Sequence, residues 1–302
     1  MDTQSLRLFV LASETLNISA AGRTLGMAPA VASTRIAKLE RLLGAELLHR
    51  STRKISLSSE GQDFLPYARE MIAQEEAALA ALGQGQSQIS GTLRFAAPST
   101  FAHLYIAPLL PKFMDAYPDL TLDMYLSDAQ FDLIEGSYDL ALRNAVLESS
   151  SLPARKLADD TRILCASPAY LEEYGTPIKP DDLKPHRVIA FRNLEPRHLI
   201  SKDGTRAELD PKQSAHRLIL NDGLPQNRAT QDGAGISVNS RWLVHEEIAS
   251  GALIHVLSDY KIVNQPALWL IYPKSNVVSA KVRVFMDFLV AHIGKAPVWA
   301  EG

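Results

Sequence analysis

The chain has 302 residues, 46% of them hydrophobic and 22% charged, with 16 Gly and 17 Pro; this composition excludes disordered and fibrous classes and fits two or three globular domains. No run approaches the roughly 18 consecutive apolar residues of a membrane helix, and Met1-Asp2-Thr3-Gln4 lacks the basic-then-apolar pattern of a signal peptide, so a cytoplasmic protein without a membrane partner is expected. The net charge of −3 is unevenly spread: residues 1–60 carry eight Lys/Arg against five Asp/Glu, a head of +3 on a body of −6, which suits a first segment that meets phosphates.

Leu6, Phe9, Val10 and Ser13 follow i, i+3, i+4, i+7 spacing and predict a first amphipathic helix. Asn17 and Ser19 are N-cap types ahead of a very short second helix, which Gly26 terminates. Small residues at Ala21 and Gly22 let another helix approach closely, as a helix-turn-helix requires. Pro29 fits the first turn of a third helix, where its missing N–H costs nothing. Along that helix Ala32, Ile36, Leu39 and Leu43 form an apolar face. The opposite side carries Ala30, Ser33 and Thr34, then Arg35, Lys38 and Arg41: small and hydroxylic residues suited to a major groove, followed by cations suited to phosphates. Leu47–Arg50 and Ile55–Leu57 read as short strands joined by Ser51-Thr52-Arg53-Lys54, a basic hairpin beside a recognition helix. Such a hairpin is a wing, and Arg50, Thr52, Arg53 and Lys54 are placed to reach a phosphate backbone or minor groove. The competing reading is a plain three-helix bundle with solvated charges; the order of capped helices, Gly turn, Pro start and basic hairpin favours the DNA-binding one.

With Ser59 as cap, Leu65, Ala68, Ile72, Glu75, Leu79 and Leu82 recur in threes and fours and predict a long helix with a thin apolar seam, interrupted at Pro66. The seam packs either on its own domain or against a second copy. Gly83–Gln88 reads as a flexible linker. Beyond Ser90-Gly91, short apolar runs alternate with helical patterns, which implies α/β architecture. Strands are expected at Leu93–Ala97, Leu120–Leu126, Tyr138–Arg143, Arg162–Ala166, Val188–Phe191, Leu218–Asn221, Ile236–Val238 and Leu268–Tyr272. Helices are expected at Phe101–Ala116, Pro168–Tyr174, Leu224–Gln231, Arg241–Ser250 and Ala280–Ile293.

Phe9, Ala21, Leu25-Gly26, Ser33, Ile36, Leu39-Glu40, Leu43-Gly44, Leu48, Arg50, Thr52-Arg53, Leu57 and Glu60-Gly61 resemble the winged helix-turn-helix of LysR-type transcriptional regulators. The likeness continues at Pro108-Leu109-Leu110, Tyr117-Pro118, Asp139–Arg143 and Gly233–Ile236. The departures are Thr34, where the family usually has a basic residue, Gly22 for its usual Ala, and Ala28-Pro29 for its frequent Ser and Gln. The resemblance implies an α/β protein: a winged helix-turn-helix (1–59), a linker and dimerisation helix with hinge (60–90), and a periplasmic-binding-protein-like effector domain (91–302). That domain has one subdomain of 91–160 with 265–302 and another of 161–264. It further implies a dimer through residues 60–84, a dimer of dimers, double-stranded DNA as partner with an inverted-repeat operator, and a small-molecule effector.

Within the body, Pro98-Ser99-Thr100 lies between a strand and a long helix, so its N–H groups and the hydroxyls of Ser99 and Thr100 suit an anion, although Ser99 as a simple cap is equally compatible. Arg143-Asn144, Arg192 and Asn221-Asp222 stand at strand ends, where cleft residues occur in open α/β sheets. Enzyme signatures fail: His245-Glu246 is followed by Ala249 instead of a second His, the eight histidines show no ligand spacing, and Gly233–Ser237 is not a nucleophile elbow. A non-enzyme without metal or cofactor is expected. Cys165, the single cysteine, lies in the apolar run Ile163–Ala166 and reads as a buried structural thiol.

Overall fold

The structure, a computed structural model, describes residues 1–50, 55–81, 89–128, 138–146, 152–192, 194, 196–213, 218–273, 278–295 and 297–300. They fall into two compact units, Met1–Ile89 with Ser275–Arg283 and Ser90–Lys274 with Val284–Gly302. Expectations at Ser51–Lys54 and at residues 82–88 lie outside the described residues.

In the first unit, helix α1 (Thr3–Thr15) begins at Asp2, whose carboxylate accepts from the Ser5 N–H at 2.9 Å and the Ser5 hydroxyl at 2.8 Å. It buries Leu6, Leu8, Phe9 and Ala12, so the inward face is turned toward Leu8 and Ala12; Val10 and Ser13, expected inside, are half-buried. Helix α2 (Ile18–Thr24) is capped by Asn17, which accepts from the Ala20 N–H at 2.9 Å. Gly26, at φ +69°, turns the chain toward α3 (Pro29–Leu43), and Gly44, at φ +67°, ends that helix. Both are left-handed positions that glycine adopts without Cβ strain. Ala32, Ile36 and Leu39 of α3 are buried in the shared core. Strands β1 (Leu48–Arg50) and β2 (Ile55–Leu57) pair antiparallel, Arg50 opposite Ile55.

The long helix α4 (Ser59–Ala81) is capped one residue earlier than the sequence suggested. Ser58, 1% exposed, accepts from the Gly61 N–H at 2.8 Å and donates to the Glu46 carbonyl. Ser59 is already helical, and its hydroxyl goes to Glu60. A cap must sit outside the helix to turn its oxygen onto the orphan N–H groups, which Ser58 does. Leu65 and Ala68 join the core with Phe64, Met71 and Ile72 around them, Phe64 lying 5.8 Å from the Phe9 ring. Ion pairs Arg7–Glu75 (3.3 Å) and Arg69–Glu14 (3.1 Å) tie α4 to α1.

The second unit contains β3 (Gly91–Ala97), β4 (Leu120–Leu126), β5 (Leu140–Ala145), β6 (Ala154–Asp159), β7 (Arg162–Ala166) and β8 (Val188–Phe191). It continues with β9 (Arg197–Ser201), β10 (Arg206–Leu209), β11 (Leu218–Leu220), β12 (Ile236–Ser240), β13 (Ile254–Val256), β14 (Tyr260–Ile262) and β15 (Ala267–Ile271). They build two five-stranded sheets, ordered β4-β3-β5-β15-β6 and β11-β8-β12-β7-β13, and a three-stranded sheet β10-β9-β14. Each large sheet mixes a parallel set, β3 with β4 and β5 or β8 with β11 and β12, with antiparallel strands.

Between β3 and β4 the chain is helical from α5 (Ser99–Phe101) to α6 (Leu110–Ala116), passing through a π-helical turn (Ala102–Ile106) and a 3-10 turn (Ala107–Leu109). The uniform helix expected there is broken because Pro108 and Pro111 lack the N–H of an i→i−4 ladder. The remaining helices are α7 (Pro168–Tyr174), α8 (Gly223–Gln231), α9 (Arg241–Ser250) and α10 (Ala280–Leu289). Phe285 packs edge-on against Phe95 and Phe113, with centroids 5.0 and 4.8 Å apart, and Leu164, Tyr170, Val188 and Ile236 fill the core of the second sheet.

Candidate nucleic-acid interface and ligand cleft

On α3, Pro29, Ala30, Thr34 and Lys38 are exposed, whereas Ser33 and Arg35 are half-buried. The helix face opens into a shallow concavity of about 370 Å³ shared with the start of α1, lined by Asp2, Ser5, Ala30, Val31, Thr34, Arg35 and Lys38. Arg35 donates to the Gln4 side chain, so one end of the guanidinium is held by α1. Arg50 is the last residue of β1, opposite Ile55 of β2, while Thr52, Arg53 and Lys54 lie outside the described residues. Sequence reasoning missed what anchors the hairpin: one carboxylate oxygen of Glu40, on α3, accepts from both the Leu47 and Leu48 N–H groups, each at 3.1 Å. A Glu before a helix-ending Gly and a strand is the only signal for that link.

In the second unit the expected ligand residues fall into three groups. Thr100, at the start of α5, donates its hydroxyl to Asp128 at 2.8 Å and its N–H at 3.4 Å, and the Gly223 N–H at the start of α8 reaches the same carboxylate at 3.3 Å. Asp222 caps α8 through the Leu224 N–H and lies 3.3 Å from the Thr100 hydroxyl. A carboxylate of the chain itself, that of Asp128, thus sits on the Thr100 and Gly223 donors, linking the start of α5 to the start of α8. Ser99, the other hydroxyl predicted there, is half-buried beside them.

Asn144 belongs to a second group. It lies inside β5, which runs on to Ala145, so it is not the strand end expected; its amide donates to Asp160 at 2.7 Å. Asp160 is wholly buried and accepts on the same oxygen from Arg162 at 2.7 Å and Ser240 at 3.1 Å. Arg143 is half-buried in the same strand. Arg192 and Asn221 form the third group, both exposed, at the neighbouring ends of parallel β8 and β11, where the Arg192 N–H donates to the Leu220 carbonyl at 2.7 Å. Sequence reasoning missed Asp128 and Asp160, because a carboxylate's partners are set by folding.

Two family descriptions match the chain: "Bacterial regulatory helix-turn-helix protein, lysR family" over residues 3–62 and "LysR substrate binding domain" over residues 86–294. The chain belongs to the LysR family of transcriptional regulators. It is 34% identical over 297 residues to an HTH-type transcriptional regulator of Xanthomonas campestris, covering 97% of this chain and 86% of that one. It is also 34% identical over 297 residues to the Escherichia coli regulator DmlR, covering 94% and 92%. The solved structure of CrgA, a LysR-type regulator from Neisseria meningitidis, superimposes with a TM-score of 0.61 at 29% identity, covering 98% of this chain and 100% of that one. The α/β fold with a winged helix-turn-helix and a two-subdomain regulatory body, and the role of a DNA-binding regulator with an effector-binding domain, are thereby established.

Two departures of this LysR regulator acquire structural meaning. Thr34 turns its hydroxyl back onto the Ala30 carbonyl at 2.9 Å, so its hydrogen is committed within the helix. Gly22 sits where a Cβ would lie 2.6 Å from the Ala32 Cβ, so alanine there would require α2 and α3 to move apart. Cys165 is fully buried, and burial pushes its thiol up to about 11, leaving it protonated at neutral pH. Among the described residues no group of three or more His, Cys, Asp and Glu side chains could hold a metal ion, and no helix is long and apolar enough to cross a membrane.

Proposed function

We propose that this LysR regulator binds an inverted-repeat operator as a homodimer, and as a dimer of dimers, and that a small anionic effector modulates the complex. The DNA contacts are Pro29, Ala30, Ser33, Thr34, Arg35 and Lys38 of α3 with Arg50, Thr52, Arg53 and Lys54 of the wing. The observation that carries this is the exposed small-residue and cationic face of α3, together with the Glu40 carboxylate of the same helix that braces the entry to β1. Support for pairing through residues 60–84 comes from the seam of α4. Its first half, Leu65 and Ala68, is buried in its own unit, but Leu79, farther along the seam, is 44% exposed, and Tyr67 is 64% exposed. The domain limits follow as 1–59, 60–90 and 91–302, with subdomains 91–160 plus 265–302 and 161–264. The protein acts in the cytoplasm and catalyses no reaction.

Support for an anionic effector is the convergence of Thr100 and Gly223 donors on the Asp128 carboxylate. An effector carboxylate takes the place of Asp128, with Ser99, Arg143, Asn144, Arg192, Asn221 and Asp222 around the cleft. Footprinting on the DNA upstream of its own gene tests the main reading: a salt-sensitive inverted repeat is expected, and equal protection of every sequence overturns it. Adding small mono- and dicarboxylates to the Asp128→Asn variant tests the effector class; tighter binding than wild type is expected, and no thermal shift with either protein rules out the carboxylate.

A further inference from the structure

The exposed start of α3 carries an apolar side chain that the expected DNA contacts do not include. Val31 is 53% exposed and lines the concavity between the starts of α1 and α3. The buried stripe of the helix runs through Ala32, Ile36 and Leu39. At roughly 100° per residue, Val31 lies well off that stripe, so packing within the chain does not call for an apolar residue there. Apart from Arg35, whose guanidinium is held at one end by Gln4, its neighbours are equally poor in donors. Pro29 and Ala30 have no polar side chain, and the Thr34 hydroxyl hydrogen is committed to the Ala30 carbonyl. Around Val31 this side of α3 thus offers a base edge methyl groups and the Thr34 acceptor where a basic residue would offer N–H donors, the Ser33 hydroxyl standing about 200° round the helix from Val31.

A major groove presents one apolar feature, the C5-methyl of thymine. We infer that Val31 is a specificity-determining residue that packs on a thymine C5-methyl in each half-site. Arg35 and Lys38, one and two turns farther along the same side, neutralise the flanking phosphates. The inference rests on the placement of α3 in the major groove proposed above. It goes beyond that reading by naming the base and the atom that is read.

The experiment uses the full chain and the operator fragment defined by footprinting, with each thymine replaced singly by deoxyuridine. That exchange removes only the 5-methyl and keeps every hydrogen-bonding group of the base. At one thymine per half-site, wild-type affinity is expected to fall roughly 3–10-fold, the scale of one buried methyl contact. Val31→Ala is expected to bind the natural operator more weakly by a similar factor, to be indifferent to deoxyuridine at that position, and to bind unrelated DNA as wild type does, which shows that the head is folded. Wild-type affinity that is unchanged at every thymine overturns the inference, as does full deoxyuridine sensitivity retained by Val31→Ala. Absence of any sequence-specific site for wild type on natural DNA is a distinct result, and it overturns the DNA-binding reading itself.

Discussion

At position 22, helix propensity and packing pull in opposite directions. Alanine is favoured over glycine in a helix interior by about 1 kcal/mol, so propensity alone makes Gly22→Ala stabilising. The Cβ it adds would lie 2.6 Å from the Ala32 Cβ, on a short side chain that cannot swing away, so α2 and α3 must part. Overpacking of this kind costs about 1–3 kcal/mol, which outweighs the propensity gain. Gly22→Ala is therefore expected to lower the thermal midpoint of the helical head, followed by circular dichroism. Trp242, Trp269 and Trp299, the only three tryptophans, all belong to the second unit, so the fluorescence transition should stay where it is. A raised midpoint would mean the helices part without cost. The sequence marks Gly22 and Thr34 as departures from the family, but the meaning of each depends on one neighbouring atom, the Ala32 Cβ for the first and the Ala30 carbonyl for the second.

Elements were legible where their boundaries are written locally. Asn17, Pro29 and Gly44 delimit α2 and α3 by capping and φ preference, signals carried by a few adjacent residues. The strands β6, β9, β10, β13 and β14 were not anticipated, and the reason is chemical. Fully buried side chains in β9 and β10 are limited to Leu199 and Leu209, the rest of each strand being largely polar, and β14 pairs with β9 from about sixty residues away. The wing is an intermediate case, since its strands are readable but its brace is not. Glu40 satisfies two backbone N–H groups at the entry to β1, and hydrogen bonds to a charged acceptor contribute about 1.5–3 kcal/mol. Glu40→Ala should leave α3 helical while speeding hydrogen exchange at the Leu47 and Leu48 amides and weakening operator binding. Unchanged exchange at those two amides would show that the strand holds its place without the carboxylate.

At the scale of the second unit, contacts remote in sequence hold the two large sheets together. Asp128 reaches Gly223, and Asp160 gathers Asn144 from β5, Arg162 from β7 and Ser240 from the end of β12. No sequence window contains such a group, so Asp128 and Asp160 each read as surface charge. Asp160 has no exposure, and the chain crosses beside it, with the Asp160 N–H donating to the Pro266 carbonyl at 3.1 Å and the Arg162 N–H to the Gln265 side chain at 2.7 Å. Removing one member of a buried ion pair leaves the other charge uncompensated and costs about 3–5 kcal/mol. The Arg162 side chain is 25% exposed and recovers some hydration, which sets the expectation for Asp160→Ala near the lower bound, about 3 kcal/mol. Tryptophan fluorescence in urea reads this directly, as a lower midpoint with an unchanged slope. Asp160→Asn, which keeps one acceptor oxygen and loses the charge, should fall between the two proteins. A midpoint equal to wild type in both variants would mean that the crossing is held by its backbone hydrogen bonds alone.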